Sequence, residues 1–528
     1  MTDINAIESP ATATIALDPR RWRKTLFGML LDSRAAFGGK RPVVEDAQRK
    51  PLTYDRVVIG AMVLGRIFAR LTERGERVGV LLPNVASIAP VFFGLCAFGR
   101  VPAMLNFTAG PKNLSAACKT GEIRHVITSR RFVAEGKLDP LITAIGADVS
   151  IIWLEDIAKG ISGLDKLIGL VSSWFARAIH ARSGARPDDV GVLLFTSGSE
   201  GLPKGVALTH ANILCNVEQF MRTLEVEGHD TLFNPLPVFH AFGMTVGLVA
   251  PFSIGIRVVL YPTPLHYKQI PPLIRDTGAT ILIGTDTFAN GWGRQASPED
   301  FGKLRLVVLG AERIKEATRA LWSERFGLHL NEGYGATEAG PVIAANTPLY
   351  YRDGTVGRLL PAMSYRLEPV PGMDEGGRLF ITGPNIMRGY MRFERPGVIE
   401  PTEDGWHDTG DIVSIDADGY ITVLGRAKRF AKIGGEMISL AAAEAYVAQI
   451  WPQEAHAMVA VPDDRKGEQL VLVTERVDAD RGELIASAHL HGVAEIMLPR
   501  RIMRVEALPV LGTGKTDYPA IIEMARGA

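Results

Sequence analysis

Thr196, Ser197, Ser199 and Lys204 fall within nine residues, interleaved with Gly198 and Gly201, in the run Leu194-Phe-Thr-Ser-Gly-Ser-Glu-Gly-Leu-Pro-Lys-Gly205. Glycine and small hydroxyl residues let backbone N–H groups approach phosphate oxygens, and Lys204 adds positive charge. The run directly follows an apolar stretch of strand character. A Gly- and Ser-rich stretch after a strand is often only a turn, but hydroxyls crowded beside a lysine favour phosphate binding. A second candidate, Gly512-Thr-Gly-Lys-Thr516, imitates the end of a P-loop. The full pattern needs glycine where Pro509 stands, and too few residues follow Lys515 for an NTPase fold, so that reading fails.

Such groups need a scaffold to position them. Short β-branched runs alternate with longer amphipathic segments: Val78-Gly-Val-Leu-Leu82, Val190-Gly-Val-Leu-Leu-Phe195, Ile281-Leu-Ile-Gly284 and Leu306-Val-Val-Leu-Gly310. Buried strands separated by helices predict an α/β fold of mixed, mainly parallel sheets with helices on both faces. After Arg352 come short strands and Gly-rich turns, as in Gly376-Gly-Arg-Leu-Phe-Ile-Thr-Gly383 and Asp416-Ala-Asp-Gly-Tyr-Ile-Thr-Val-Leu424. These predict a small β-rich subdomain over 353–424. A basic, glycine-containing stretch follows, then α+β text to the end. The expected division is 1–424 and 425–528, with the boundary near Gly425 to Arg429.

The segment Leu164 to Ile179 places apolar residues at 164, 167, 168, 171, 174, 175, 178 and 179, one face of a helix. Docking of that face on the core is the expected outcome, and contact with a membrane surface is the alternative. Val78 to Phe107 and Gly243 to Tyr261 are also apolar. Pro83, Asn84, Pro90 and Arg100 break the first, and Pro251 and Arg257 the second. Neither offers the roughly 20 uninterrupted apolar residues of a spanning helix.

The chain has 528 residues, of which 47% are apolar and 22% charged, enough core material for two or three domains. Lys plus Arg equals Asp plus Glu at 58 each, which gives no support for a nucleic-acid partner. Cys96, Cys118 and Cys215 lack metal-ligand spacing and suit a reducing compartment. The apolar run Leu26 to Leu31 ends at Asp32 with no small-residue cleavage site, so no secretory signal is expected. A cytoplasmic protein is expected, with peripheral contact at the inner face of a membrane left open.

Several motifs converge on one family. Phe195 to Gly205, Gly333-Tyr-Gly-Ala-Thr-Glu338, Asp408-Thr-Gly-Asp411, Gly425-Arg-Ala-Lys-Arg-Phe-Ala-Lys-Ile-Gly-Gly435 and Lys515 occur in the order found in acyl-adenylate-forming enzymes. That family includes acyl-CoA synthetases, peptide-synthetase adenylation domains and luciferases. Within it, Ala103 to Gly110, Leu260 to Tyr267 and Arg426 to Lys432 resemble the acyl-acyl-carrier-protein synthetase portion of the bifunctional acylglycerophosphoethanolamine acyltransferase. The acyltransferase half is marked by His followed five residues later by Asp. None of the eleven histidines here has Asp at that offset, so that half is expected to be absent.

The resemblance implies a chemistry. A carboxylate attacks the α-phosphate of ATP to give an acyl-adenylate, and a thiol then displaces AMP. By the same resemblance Lys515 would bridge carboxylate and α-phosphate, Thr337 would hydrogen-bond the α-phosphate, and Glu338 would hold Mg²⁺. Thr196 to Lys204 would embrace the phosphates, and Asp411 the ribose, with Arg426 nearby. Tyr334 would stack on adenine, and Gly310, Ala311, Glu312, Gly333 and Gly335 would line its pocket. His240, in Pro237-Val-Phe-His-Ala-Phe-Gly243, matches a position that gates the acid and thiol channels. Gly434 and Gly435 would line the pantetheine channel. Arg429 sits at the family's hinge, about which a mobile C-terminal domain swings between half-reactions.

Each position also has a plainer reading. Thr337-Glu338 could cap a helix, Asp411 could be a turn residue, and His240 a packed core histidine. Departures from the family pattern concern the thioester step: Leu440 and Ala442 replace a usual proline and glutamate, and Tyr518 a frequent arginine. Glu200 stands where threonine is common. The expected activity is ligation of a fatty acid, long-chain by expectation, to acyl carrier protein, with coenzyme A as the alternative acceptor. Lys428, Arg429, Lys432, Arg500, Arg501 and Arg504 could form a basic patch for an acidic carrier. A scaffold that binds nucleotide or lipid without turnover is the reading from another class.

Overall fold

Runs of Val, Ile and Leu bounded by Gly and Pro form the strands expected of them, and the strands gather into large sheets. The computed structural model describes residues 7–8, 15–197, 202–370, 373, 375–433, 436–463, 467–491, 493–510 and 516–527. The chain divides into two compact units. One comprises Pro10–Met363 with Thr382–His407, and the other Met1–Ser9, Ser364–Ile381 and Asp408–Ala528.

The larger unit holds a nine-stranded and an eight-stranded sheet. In the first, Pro42–Asp46, Arg257–Leu260, Thr231–Asn234, Ile281–Gly284, Leu306–Gly310 and Leu330–Gly335 run parallel. Antiparallel strands close its two ends. In the second, Val190–Ser197, Val101–Met104, Arg77–Val80, His125–Thr128 and Ser150–Trp153 are parallel. Pro203–Thr209, Gly389–Arg392 and Arg395–Glu400 extend it antiparallel. This is the mixed, mainly parallel α/β architecture expected. Helix Ile88–Ala97 is buried along its whole length and lies against helix Tyr54–Leu71. A Cβ at Gly65 would sit 2.4 Å from the Gly94 carbonyl oxygen, so these glycines permit the close approach.

The apolar text of 78–107 thus resolves into strand, buried helix and strand. That of 243–261 becomes the π-helix Phe242–Val249, helix Ala250–Ile254 and strand Arg257–Leu260. Among the described residues no helix is long and apolar enough to cross a membrane.

The expectation for 164–179 needs correcting. Two helices, Gly163–Trp174 and Ala176–Ser183, meet at Phe175, and the apolar stripe of the first faces outward. The side turned to the protein carries small residues, Gly169 and Ser173. A close helix contact selects for side-chain volume rather than apolarity alone, so the small face won.

In the smaller unit, Ile7–Glu8, Ser364–Glu368, Gly377–Thr382, His407–Ile415 and Ile421–Arg426 form one five-stranded sheet. A second is built from Glu436–Ser439, Phe430–Ile433, Gly467–Thr474 and His456–Asp463, with Arg501–Arg504 parallel on one edge. Period-2 alternation buries both of its faces. Met458, Leu470 and Leu472 join Trp451 and Leu484 in one cluster, while Val459, Val471 and Val473 join Ile521 in another. The β-rich text of 353–424 is shared between the units: Thr382–His407 stays with the larger, and Gly425 to Arg429 lies inside the smaller.

Candidate active site

The Thr196–Lys204 run is a β-ladder on which the loop is mounted. Thr196 faces Lys204, and Phe195 faces Gly205, across antiparallel strands Val190–Ser197 and Pro203–Thr209. Gly198, Ser199 and Gly201, and the side chain of Ser197, lie outside the described residues, as does Glu200. The neighbouring strand places Tyr390 opposite Val206. The Lys204 ammonium lies 5.5 Å from the centre of the Tyr390 ring. Tyr390 in turn donates its hydroxyl hydrogen to Glu338 Oε1 at 2.6 Å. One aromatic side chain therefore joins the phosphate-loop lysine to the expected metal carboxylate, positions more than 130 residues apart in sequence. Nothing in the local sequence around Tyr390 signals this; strand register creates it.

Thr337 and Glu338 open a one-turn 3₁₀ segment, Thr337–Ala339, after strand Leu330–Gly335. A Cβ at Gly335 would lie 2.3 Å from the Pro341 carbonyl oxygen, so this tight turn requires glycine. Helix His210–Met221 holds the turn from behind. Its Asn212, Asn216 and Gln219 lie on one face at i, i+4 and i+7. Asn216 donates to the Val342 carbonyl at 2.8 Å and accepts from the Val342 N–H at 2.9 Å, as a paired strand would. Asn212 donates to the Pro384 carbonyl, and Gln219 to the Pro361 carbonyl. The Met387 N–H donates to the Glu338 carbonyl at 2.8 Å. Buried amides are costly unless bonded, and here they are spent on fixing backbone.

Gly310 pairs with Gly333 across parallel strands, and Tyr334 follows. A Cβ on Gly310 would meet the Gly333 carbonyl at 3.3 Å and the Phe242 ring at 3.4 Å. The expected base-pocket glycines thus adjoin the His240 segment. Ala311 turns the chain at φ 68°, and Glu312 accepts a hydrogen bond from the Thr287 N–H at 3.0 Å, at the start of helix Asp286–Gln295. A helix-capping role therefore accompanies Glu312.

His240 sits in a turn whose shape is dictated by Gly243, where a Cβ would lie 2.3 Å from the Pro237 carbonyl oxygen. Asn234 braces that turn through the Leu236 N–H and the Gly243 carbonyl, and Asn84 bonds the Asn234, Leu236 and Tyr261 carbonyls. Sequence reading took Asn84 only as a break in an apolar run and did not single out Asn234. Their bracing role is legible only once burial is known. The His240 ring is 4.7 Å from Phe239, which meets Phe107 edge-on at 4.8 Å.

The smaller unit carries the remaining candidates. Asp411 is buried and faces Arg426 across strands His407–Ile415 and Ile421–Arg426, their side chains pairing at 3.1 Å. The turn before it is tied down. Thr409 Oγ1 accepts from the Asp411 N–H and donates to the Leu379 carbonyl, while Asp408 pairs with Arg378 and accepts from the Gly410 N–H. Arg429 is anchored rather than loose. It donates to Glu444 Oε2 at 3.0 Å and to the Met458 carbonyl at 3.1 Å, and stacks 3.5 Å over the Tyr518 ring. Tyr518 donates to Glu444 Oε1 at 2.8 Å, and burial, reinforced by the Glu444 charge, pushes its phenol up to about 12.

Gly434, Gly435 and Lys515 lie outside the described residues. Val510 and Thr516 form an isolated β-bridge, and the Asp517 N–H donates to the Pro509 carbonyl, close to Lys515 in sequence. Among the described residues no three His, Cys, Asp or Glu side chains gather into a metal site. A single carboxylate such as Glu338 suits a magnesium ion whose other ligands are phosphate oxygens and water.

Comparison with known proteins agrees with this arrangement of elements. The family model for AMP-binding enzymes matches residues 31–391. A long-chain-fatty-acid–CoA ligase of Salmonella typhimurium is 27% identical over 496 residues, covering 86% of each chain. A medium-chain fatty-acid–CoA ligase of Escherichia coli is 31% identical over 382 residues, 67% of this chain and 66% of the relative. The crystal structure of ATP-bound MatB from Rhodopseudomonas palustris superposes with a TM-score of 0.80 at 23% identity, covering 96% and 99% of the two chains. The chain belongs to the AMP-binding enzyme family.

Proposed function

We propose that this protein is an ATP-dependent acid:thiol ligase that activates a fatty acid as its acyl-adenylate and passes the acyl group to a pantetheine thiol. The supporting observation is the array Lys204–Tyr390–Glu338, which sets an ammonium and a carboxylate about one aromatic side chain, with Thr196 opposite Lys204 on the paired strand. A carboxylate is a poor electrophile, and adenylation supplies a good leaving group. The protein's task is to neutralise and orient charge at the α-phosphate.

In this reading Lys204 and the Thr196–Gly201 run hold the phosphates, Thr337 bonds the α-phosphate, and Glu338 holds Mg²⁺, which would neutralise phosphate charge. Tyr334, Gly310, Ala311, Gly333 and Gly335 border the adenine, and Asp411 with Arg426 takes the ribose. Lys515 supplies the ammonium for adenylation, and the Gly434–Gly435 segment serves the thiol. The aromatic rings of Phe239 and Phe107 beside His240 suit an acyl chain. The segment from Gly425 onward is the body that moves, with Arg429 at its hinge.

The relatives named as fatty-acid–CoA ligases support coenzyme A as the acceptor, reversing the order expected from sequence. Acyl carrier protein is the second reading. It is favoured by the Ala103–Gly110, Leu260–Tyr267 and Arg426–Lys432 passages and by Arg500, Arg501 and Arg504.

The test is fatty-acid-dependent exchange of pyrophosphate into ATP, followed by thioester formation with coenzyme A and with holo carrier protein in parallel. Lys515→Ala should cut adenylate formation by about 10²–10³ or more while leaving ATP binding largely intact. Adenylate formed at the normal rate by that variant would overturn the mechanism.

A further inference from the structure

We propose that the outward face of the helix pair Gly163–Trp174 and Ala176–Ser183 is a seat for the surface of an anionic lipid bilayer. Leu164, Leu167, Leu170, Val171, Trp174 and Phe175 are all exposed, Leu164 by 64%, Trp174 by 69% and Phe175 by 60%. Single exposed apolar side chains are ordinary, but five on one short helix, followed by Phe175 at its end, form a patch. The orientation is held in place. A Cβ at Gly169 would lie 2.1 Å from Val63 Cγ2, so a larger residue there would have to push Val63 aside. Arg34 donates to the Ser173 carbonyl at 3.1 Å, and a Ser162–Asp165 capping box closes the N-terminal end. Turning the apolar stripe inward would break these contacts.

Charge selects the occupant. The two helices carry Lys166, Arg177 and Arg182 against a single carboxylate of their own, Asp165, with Arg177 also paired to Asp32 at 2.7 Å. That carboxylate is held below its usual range first by the Ser162 hydroxyl and N–H, and further by the charges of Arg70 and Arg66. These are two more cations, on helix Tyr54–Leu71, which packs against Gly163–Trp174. An exposed apolar helix face that includes an indole and is flanked by guanidinium and ammonium groups matches a headgroup boundary: aliphatic and ring atoms enter the acyl region while cations meet lipid phosphates.

The experiment is co-sedimentation of the full chain with phosphatidylcholine vesicles, with and without phosphatidylglycerol. It requires no turnover, so its failure is separate from failure of the ligase reading. Binding is expected to phosphatidylglycerol-containing vesicles and to weaken with salt. Trp174→Ser with Phe175→Ser should lower vesicle affinity by about tenfold or more, with the melting temperature and turnover of a short water-soluble acid unchanged. Lys166→Glu with Arg70→Glu should lower affinity for the anionic vesicles by about tenfold and serves if the first variant fails to fold. The proposal is overturned if the protein does not sediment with anionic vesicles, or if both variants bind as the parent does. It is also overturned if the apolar variant abolishes a concentration-dependent self-association while vesicle binding is absent, which would assign the ridge to a second copy.

Discussion

At the residue scale, the site depends on Tyr390, which sequence gave no reason to single out. Its hydroxyl bonds Glu338 at 2.6 Å, and its ring lies 5.5 Å from the Lys204 ammonium. A hydrogen bond to a charged partner contributes roughly 1.5–3 kcal/mol. Tyr390→Phe keeps the ring and loses that bond, so Glu338 is free to leave its position. Adenylate formation should fall about tenfold or more, with a raised magnesium requirement and an unchanged melting temperature. Pyrophosphate exchange across a magnesium series measures this, and an unaltered rate and magnesium requirement would remove Tyr390 from the site. Glycines 243 and 335 are legible in hindsight for a different reason: each faces a carbonyl oxygen at 2.3 Å from a built Cβ, and no larger residue fits.

At the element scale, the helices owe their placement to buried polar groups as much as to apolar stripes. The start of helix Leu26–Phe37 is held by two histidines. His210 Nδ1 accepts from the Leu26 N–H, and His180 is bonded at Nε2 by Thr25 and at Nδ1 to the Ala97 carbonyl. Burial lowers the pKa of His180, and burial together with the nearby His180 brings His210 down to about 4. In the unfolded chain these rings take a proton near pH 6.5, whereas folded His210 takes one only near pH 4. Their contribution is therefore fully present above about pH 6.5 and is lost as pH falls toward 4, amounting to about 3 kcal/mol for His210. Denaturant unfolding across that range should show the decline, and His210→Asn should flatten it. Equal slopes in the two proteins would locate the acid sensitivity elsewhere. Helix His210–Met221 makes the same point, since its Asn212, Asn216 and Gln219 face is spent on holding the Val342, Pro384 and Pro361 backbones.

At the scale of the whole molecule, two compact units divide the candidate residues between them. Thr196, Lys204, His240, Gly310, Tyr334, Thr337 and Glu338 lie in the larger, and Asp411, Arg426 and Arg429 in the smaller. Under the proposed mechanism the body beyond Gly425 changes position between adenylation and thioester formation. Arg429 would have to act within that change while paired to Glu444 and stacked on Tyr518. Arg429→Ala removes both contacts. Single-turnover measurements should then show adenylate formed at the parent rate and thioester formed about tenfold more slowly. Equal slowing of both steps would make Arg429 a structural residue of its unit and not a hinge.

Much of this protein could be read before any fold was known. Strand runs separated by helical text specified an α/β architecture because periodicity and turn residues act locally, and the ordered motifs specified the family. The side to which an apolar stripe turns is not local. The Gly163–Trp174 stripe faces outward, while the small face at Gly169 packs against Val63. Nor is the meeting of Lys204, Tyr390 and Glu338 local, because it depends on the register of Pro203–Thr209 against Gly389–Arg392. Residue types and spacing along the chain determined which chemistry was on offer. Close packing and strand pairing between distant segments decided which of those groups came within bonding distance, since such contacts are set by volume and register that no single segment contains.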